Sequence, residues 1–179
     1  VVMKRNILIA FAASSLLFSS TQAFALLSFS AGVPFSHTIT GKFNDGTAIK
    51  SDGVSGMFIQ VGVPIFPGVG MDSYKTKLKD TTIELATMIY NLYYLLPIPI
   101  INLTLGAGVG STELQCSGCA ADFDKGSASQ WYASLGMPII PFFDLHLSYR
   151  SVSSKIKIKS GGEHDFSGNV MGLGIGFNF

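Results

Sequence analysis

The stretch that decides the fold reads VMGLGIGFNF and spans Val170 to Phe179. Every second residue from Met171 to Phe179 is apolar, and the residues between them are three glycines and one asparagine. A period of two predicts a β-strand with one face of large apolar side chains and one face that is almost bare. A soluble β-sandwich would place charged groups on that second face. The pattern therefore favours a closed barrel in a membrane, with lipid outside and small or polar groups inside.

The composition also indicates contact with lipid. The chain has 179 residues, of which 47% are hydrophobic and 13% are charged. In soluble domains about a quarter of the residues are charged, so water is not expected to contact most of this surface. The length fits one domain. A formal net charge of +1 gives no basic excess of the kind that marks a nucleic-acid partner.

The first 25 residues are predicted to be a secretory signal peptide. Lys4 and Arg5 form a basic region, an apolar run follows at 7–18, and an Ala-Phe-Ala site occupies 23–25. The apolar run is shorter than the about 20 residues that a spanning helix needs. We therefore expect residues 1–25 to be removed and residues 26–179 to form the exported barrel domain.

Alternating apolar residues predict eight strands in an antiparallel, up-and-down order, which is an all-β transmembrane barrel. The strands are expected at 27–33, 57–63, 69–77, 82–95, 101–110, 131–137, 143–150 and 170–179. Tight connections near Pro64, Pro97 and Pro138 alternate with longer polar loops at 36–53, 112–126 and 160–165. Outer-membrane barrels have short turns on the periplasmic side and long loops outside, so this alternation supports the same fold.

The final strand, with Phe177 and Phe179 at its end, resembles the C-terminal signature of bacterial outer-membrane β-barrels. The size resembles the small eight-stranded class of OmpA, OmpX and the opacity-type proteins. This resemblance implies a monomer in the outer membrane of a Gram-negative bacterium, inserted by the barrel-assembly machinery, with the final strand as assembly signal. The implied partners are outer-membrane lipid, lipopolysaccharide and an extracellular ligand of the loops. The implied roles are envelope integrity, adhesion or surface interaction, without a cofactor or a metal.

A competing interpretation concerns the nearly continuous apolar segment from Leu85 to Leu105. A hydropathy window predicts a transmembrane helix there, and the chain would then be a helical inner-membrane protein. Pro97 and Pro99 at its centre, and its Ile, Tyr and Thr content, favour two strands with a turn. Because transmembrane helices tolerate proline, the helical interpretation stays as an alternative.

Polar side chains of the seventh strand are predicted to lie inside the barrel. We expect an interior network, because charges in a narrow barrel must be paired. Its predicted members are Asp72, Asp144, His146, Ser148 and Arg150, with Glu84 as a further candidate. An eight-stranded interior is about filled by side chains. The glycine-rich inner faces of the fifth and eighth strands nevertheless leave a narrow pore as a possibility.

His146 and Ser148 also resemble the His-x-Ser pair of the lipid A deacylase barrels. That resemblance implies a serine nucleophile with a histidine base. Tyr149 follows the serine where that family has asparagine. A serine that points into the lumen cannot reach a lipid on the outer wall, so we predict a protein without enzymatic activity. A lipid A-modifying enzyme is the alternative.

Cys116 and Cys119 form a Cys-x-x-Cys motif in the long loop at 112–126. Such a motif occurs in redox sites and in half-sites for zinc, for which His37 and His164 are the loop histidines available as further ligands. In an oxidising compartment a small disulfide ring is favoured. We therefore predict a disulfide here and no metal site.

Lysines recur with a period of two in two places. They are Lys75, Lys77 and Lys79, and again Lys155, Lys157 and Lys159. Twelve or so residues of tilted strand climb about 25–30 Å, so the second set should lie just above the outer hydrocarbon boundary. There the ammonium groups are predicted to contact lipopolysaccharide phosphates; the alternative is solvated strand ends kept soluble by charge.

Overall fold

The computed structural model describes residues 27–63, 66–98, 101–117, 119–140 and 142–178. Nine strands and one short helix lie within these ranges. They are β1 Ser28–Ile39, β2 Ser51–Gly62, β3 Gly68–Leu78, β4 Glu84–Ile98, β5 Ile101–Gln115, α1 Cys119–Asp122, β6 Gly126–Ile140, β7 Phe143–Lys157, β8 Glu163–Asp165 and β9 Gly168–Asn178. The predicted signal peptide and Phe179 lie outside the described residues.

The strands form a closed antiparallel barrel in up-and-down order. Each of β1 to β7 pairs with the next strand in sequence, and β9 pairs with both β7 and β1, which closes the ring. The short β8 pairs with β7 beyond the end of β9. The barrel thus has eight strands, β1 to β7 and β9, and the predicted fold class is confirmed.

The helical interpretation of Leu85–Leu105 is wrong. This segment forms most of β4 and the start of β5, which pair in register from Glu84 and Gln115 down to Ile98 and Ile101. Two paired strands satisfy the backbone groups of an apolar segment as completely as a helix does. No helix in the described part of the chain is long and apolar enough to cross a bilayer.

Large apolar side chains are exposed on the outside of every barrel strand. One example from each strand in ring order is Phe29, Met57, Val69, Leu92, Leu105, Leu135, Leu147 and Leu173. We call the ring of outward apolar residues represented by these eight the apolar band. Polar residues and glycines alternate with them and face the interior, as on β5, where Asn102 and Thr104 are buried. The period of two in the sequence therefore sorts side chains between lipid and lumen.

The strands extend further into the polar sequence than the apolar pattern predicted. Residues 36–39 belong to β1, residues 51–53 to β2, residues 112–115 to β5 and residues 163–165 to β8. The loops at this end are consequently shorter than expected, at 40–50, 116–125 and 158–162. Polar residues continue these strands because ladder hydrogen bonds satisfy the backbone whatever the side chain.

Connections at the opposite end are also shifted relative to the prediction. β4 continues through Pro97 to Ile98 and β5 begins at Ile101, while β6 continues through Pro138 to Ile140 and β7 begins at Phe143. The register shifts between Pro138 and Ile140, which places this proline beside an irregularity where a missing backbone donor is tolerated. β2 ends at Gly62 and β3 begins at Gly68, which agrees with the predicted position of the first tight connection.

An irregularity in β1 changes which side chains face the interior. The register with β9 shifts between Pro34 and Ser36, as in a β-bulge. Even-numbered residues point inward before it, and His37 and Ile39 point inward after it. The prediction of His37 as a loop residue is therefore wrong, because the bulge turns its side chain into the barrel.

Apolar side chains close the loop end of the interior. The apolar lid consists of Ile39, Ile49, Leu78, Leu85, Ile156 and Phe166, all buried. Phe43, Ile83, Leu114 and Phe123 pack against it from the loop side. The barrel interior thus has a polar centre under an apolar lid.

Candidate functional site

The centre of the barrel holds an ion pair between Arg150 on β7 and Asp72 on β3. Arg150 Nε donates to Asp72 Oδ2 over 2.9 Å, and the two side chains are 2% and 0% exposed. β3 and β7 lie four strands apart in the ring of eight, so the pair crosses the lumen. A charge removed from water at this depth requires a partner, and each of these residues supplies it for the other.

Aromatic and amide groups complete the surroundings of the ion pair. The guanidinium carbon of Arg150 lies 3.5 Å from the ring centre of Phe58 and 5.0 Å from that of Tyr132. Such contacts between a cation and a ring face are attractive. Gln130 Nε2 donates to Asp72 Oδ2 and, over 2.7 Å, to Asn91 Oδ1. The network is therefore wider than the set predicted from the sequence.

Ser148 is held by this network. Its Oγ accepts a hydrogen bond from Arg150 Nη1 and donates one to the Gly172 carbonyl over 3.2 Å. His146 packs instead beside Gly136 and Gly176 on the two neighbouring strands. A serine nucleophile needs its hydroxyl directed at a base, and here the hydroxyl is directed at a backbone carbonyl. The two residues share the inner face of β7, but not as a nucleophile and its base.

Of the remaining predicted interior residues, Asp144 lies at one side of the network and Glu84 lies outside the interior. Asn102 Nδ2 donates to Asp144 Oδ2 over 2.7 Å, nearer to the short connections. Glu84 is placed differently from the prediction, because it faces outward and pairs with Lys75 at 3.7 Å. β4 has its inward residues at odd positions, so an even-numbered residue could not join the interior.

Phe58, Asn91, Gln130 and Tyr132 are interior residues that the predicted network lacked. The same alternation that placed Asp144 inside also places them inside, since each lies between two outward-facing residues. Phe58, Asn91 and Tyr132 lie within the predicted strands, whereas Gln130 lies one residue before the predicted sixth strand, because β6 begins earlier than the apolar pattern indicated. Their pairing with Asp72 depends on strands that are far apart in the sequence.

Side chains fill the space beside several of the inner-face glycines. A Cβ atom at Gly106 would overlap the Tyr132 ring, one at Gly172 would overlap Phe58, and one at Gly176 would overlap His146. Large side chains from neighbouring and nearby strands thus occupy the space beside these three glycines. The apolar lid fills the loop end of the interior in the same way.

The predicted cysteine and lysine sites lie in the loops and at the strand ends. Cys116 and Cys119 are joined by a disulfide, so the zinc interpretation is wrong; His37 in turn bonds Thr76 inside the barrel at 2.7 Å. No group of three or more potential metal ligands occurs among the described residues.

The side chains of Lys155, Lys157 and Lys159 are all exposed. Lys155 Nζ contacts Glu163 at 2.9 Å, and Lys159 Nζ donates to the Ala120 carbonyl at 2.7 Å.

The described loop segments bind one another at the outer end. We call residues 40–50, 119–125 and 158–167 the loop cap. Backbone hydrogen bonds join its parts, among them Gly41 N to Ser167 O at 3.0 Å and Lys159 N to Asp122 O at 2.9 Å. The cap is therefore one connected surface, and not a set of separate loops.

His164 lies at the centre of the loop cap. Its ring packs against Phe43 and Phe123, and its Nδ1 accepts a hydrogen bond from Asn44 N over 2.9 Å. Burial lowers the pKa of His164 below its ordinary value of 6.5, and the nearby Asp45 carboxylate partly offsets this effect. A neutral ring at neutral pH keeps Nδ1 available as an acceptor.

Comparison with protein-family models gives no match, and comparison with curated proteins gives none. Among solved structures, the chain is similar to neisserial surface protein A (NspA), at 13% identity and a TM-score of 0.60, over 86% of this chain and 96% of that one. It also matches OmpT, an outer membrane protein of Vibrio cholerae, at 14% identity, a TM-score of 0.37, and over 87% of this chain and 52% of that one. A TM-score of 0.37 is too low for the match to OmpT to support a conclusion about this chain. The likeness to NspA shows that this chain has the fold of a small outer-membrane β-barrel.

Proposed function

We propose that this protein is a monomeric, non-enzymatic component of the bacterial outer membrane that holds the loop cap at the cell surface. The apolar band is the observation that carries the proposal. Exposed large apolar side chains on all eight barrel strands are unfavourable in water and favourable in hydrocarbon. The likeness to NspA is consistent with this location, although it concerns the fold alone.

The interior supports a scaffold better than a channel or an enzyme. Arg150, Asp72, Tyr132 and Phe58 fill the centre, and the apolar lid covers the outer end. A filled interior gives a stiff cylinder but no wide water path. Ser148 lies on the inner face, away from the lipid substrates that a deacylase would modify.

The connected loop cap supports a role in presenting a surface. Loops that are hydrogen-bonded to one another lose little conformational entropy when a partner binds. Envelope support, adhesion and interaction with an extracellular ligand are the roles that such a surface can serve. The exposed Lys155 and Lys157 lie at its edge and are suited to contact anionic lipid head groups.

The location is tested by fractionation and by gel migration. We expect the protein in the outer-membrane fraction, and we expect an unheated sample in detergent to migrate faster than a boiled one, because a closed barrel resists unfolding by detergent. The control is the same sample denatured in urea before loading, which should migrate as the boiled form. Recovery in the inner membrane, or identical migration with and without boiling, would contradict the proposal.

The absence of catalysis is tested on lipid A. Lipid A from cells that express this protein is expected to keep all its acyl chains, because the Ser148 hydroxyl is bonded to Gly172 and Arg150 inside the barrel. The measurement is mass spectrometry of lipid A from cells with the unaltered protein, with Ser148→Ala and with empty vector. Loss of an acyl chain that requires Ser148 would establish the deacylase alternative.

A further inference from the structure

A groove on the outer wall of the barrel lies where the apolar band ends. It has a volume of about 360 Å³ and is formed mainly by β6, β7 and β9. That size is within the range of small-molecule sites, about 300–1,000 Å³. Its lining includes Ser129, Trp131, Ser151, Ser153 and Asn169.

These five residues form a continuous patch. Trp131 is paired with Ser151, Ser151 is paired with Asn169, and Ser129 is paired with Ser153 in the row above. Three neighbouring strands make the patch about 10 Å wide. Within the described residues, the four polar side chains form no hydrogen bond with the protein. They are available to bind an external group that carries several hydroxyls.

Trp131 gives the groove an aromatic wall. Its side chain is 58% exposed, and its ring centre lies 6.1 Å from that of Tyr149 in the band below. Amphipathic aromatic side chains favour the boundary between hydrocarbon and head groups. An exposed indole beside unpaired hydroxyls suits a sugar ring, which has an apolar face and polar edges.

Lys155 supplies a positive charge above the groove. It is paired with Ser127 in the next outward row, and its Nζ contacts Glu163 Oε1 at 2.9 Å with both side chains about half exposed. Exposed ion pairs contribute only about 0–1 kcal/mol, so the ammonium group can exchange its partner for a phosphate. Lys157 is exposed on the same face of β7.

We propose that this groove binds the phosphorylated sugar head group of an outer-leaflet glycolipid, the chemistry that lipopolysaccharide presents. The sugar lies on Trp131 and the serine hydroxyls, the phosphate contacts Lys155, and the acyl chains follow the apolar band past Leu147 and Leu173. A phospholipid lacks the sugar and would use the lysine alone. The inference rests on the proposed outer-membrane location.

Trp131 is the single tryptophan of the chain, so its fluorescence reports on the groove directly. We expect purified lipopolysaccharide, titrated into the folded barrel in detergent micelles, to cause a saturable change in the emission. Phosphatidylglycerol should bind far more weakly. The double variant Ser151→Ala and Ser153→Ala should weaken binding of lipopolysaccharide by about tenfold, from the loss of two hydrogen bonds. Lys155→Gln should weaken binding of lipopolysaccharide but not of its dephosphorylated form.

The matched control is the double variant Ser55→Ala and Ser73→Ala. These serines also lie on the outside near the end of the band, but on β2 and β3, away from the groove. The control should bind as the unaltered protein does. Equal responses to both lipids, or equal affinity of the two double serine variants for lipopolysaccharide, would overturn the proposed binding site. If the protein still shows heat-modifiable migration, the proposed membrane location stands even then. Failure to form a heat-modifiable barrel would overturn both.

Discussion

Replacing Arg150 with methionine is expected to destabilise the folded barrel by about 3–5 kcal/mol. The variant leaves the Asp72 carboxylate, which is 0% exposed, without its cation. It also removes the guanidinium that lies over Phe58 and the donor to Ser148. The measurement is urea-induced unfolding in detergent micelles or lipid vesicles, followed by tryptophan fluorescence and by the loss of heat-modifiable migration.

Two comparisons separate this cost from a general effect of losing a cation. Lys155→Met breaks an exposed ion pair with Glu163 and should cost less than about 1 kcal/mol. The double variant Asp72→Asn and Arg150→Met removes both charges, keeps an acceptor for Gln130, and should recover much of the stability lost in the single variant. If Arg150→Met and Lys155→Met are equally stable, the ion pair is not the organising contact of the interior.

Replacing Leu105 with arginine is expected to cost about 2–4 kcal/mol of folding free energy in a bilayer. Leu105 is outward-facing, and it lies midway along the row of apolar residues from Ile101 to Val109 on β5. An arginine there must place its guanidinium in hydrocarbon or thin the membrane around it. The measurement is the midpoint of reversible folding into lipid vesicles, together with the amount of protein recovered in the outer membrane.

Ser111→Arg is the matched control for Leu105→Arg. Ser111 lies on the same strand and the same face, and it is about 15 Å nearer to the loop end. An arginine at that height reaches water and lipid head groups, so folding and recovery should match those of the unaltered protein. Equal effects of the two substitutions would mean that the apolar band does not mark the hydrocarbon, and the proposed location would fail.

The face of each strand was predictable because the alternation is local. Leu173 and Gly174, or Leu103 and Thr104, are assigned to opposite faces by their neighbours alone. The prolines of the segment from Leu85 to Leu105 were likewise enough to favour two strands over a helix. Strand ends were less predictable. Residues 36–39 and 112–115 join the sheet through backbone hydrogen bonds, and their side chains do not indicate this pairing.

The partners inside the barrel were only partly predictable. Inward positions for Asp72 and Arg150 follow from the sequence, but their contact joins residues 78 positions apart. The contact between Asp72 and Arg150 forms only when the barrel closes and places β3 opposite β7. His37 was assigned to a loop because residues 36–53 are polar and contain glycines. It faces the interior because the register shifts between Pro34 and Ser36, and Pro34 alone, although prolines often mark such irregularities, does not show which side chains turn inward after it. The wall groove has the same origin, since Trp131, Ser151 and Asn169 lie side by side only once β6, β7 and β9 are paired.

The alternation along the chain was enough to predict a barrel with a lipid-facing exterior and a small or polar interior. A period of two acts within one strand, and the difference in transfer free energy between leucine and glycine or asparagine decides which face meets lipid. The folded barrel was needed to show which inward groups meet, that the loops form one cap, and where the outer wall is polar. Those contacts depend on strand stagger and ring closure, which join residues distant in sequence and leave no periodic signal in it.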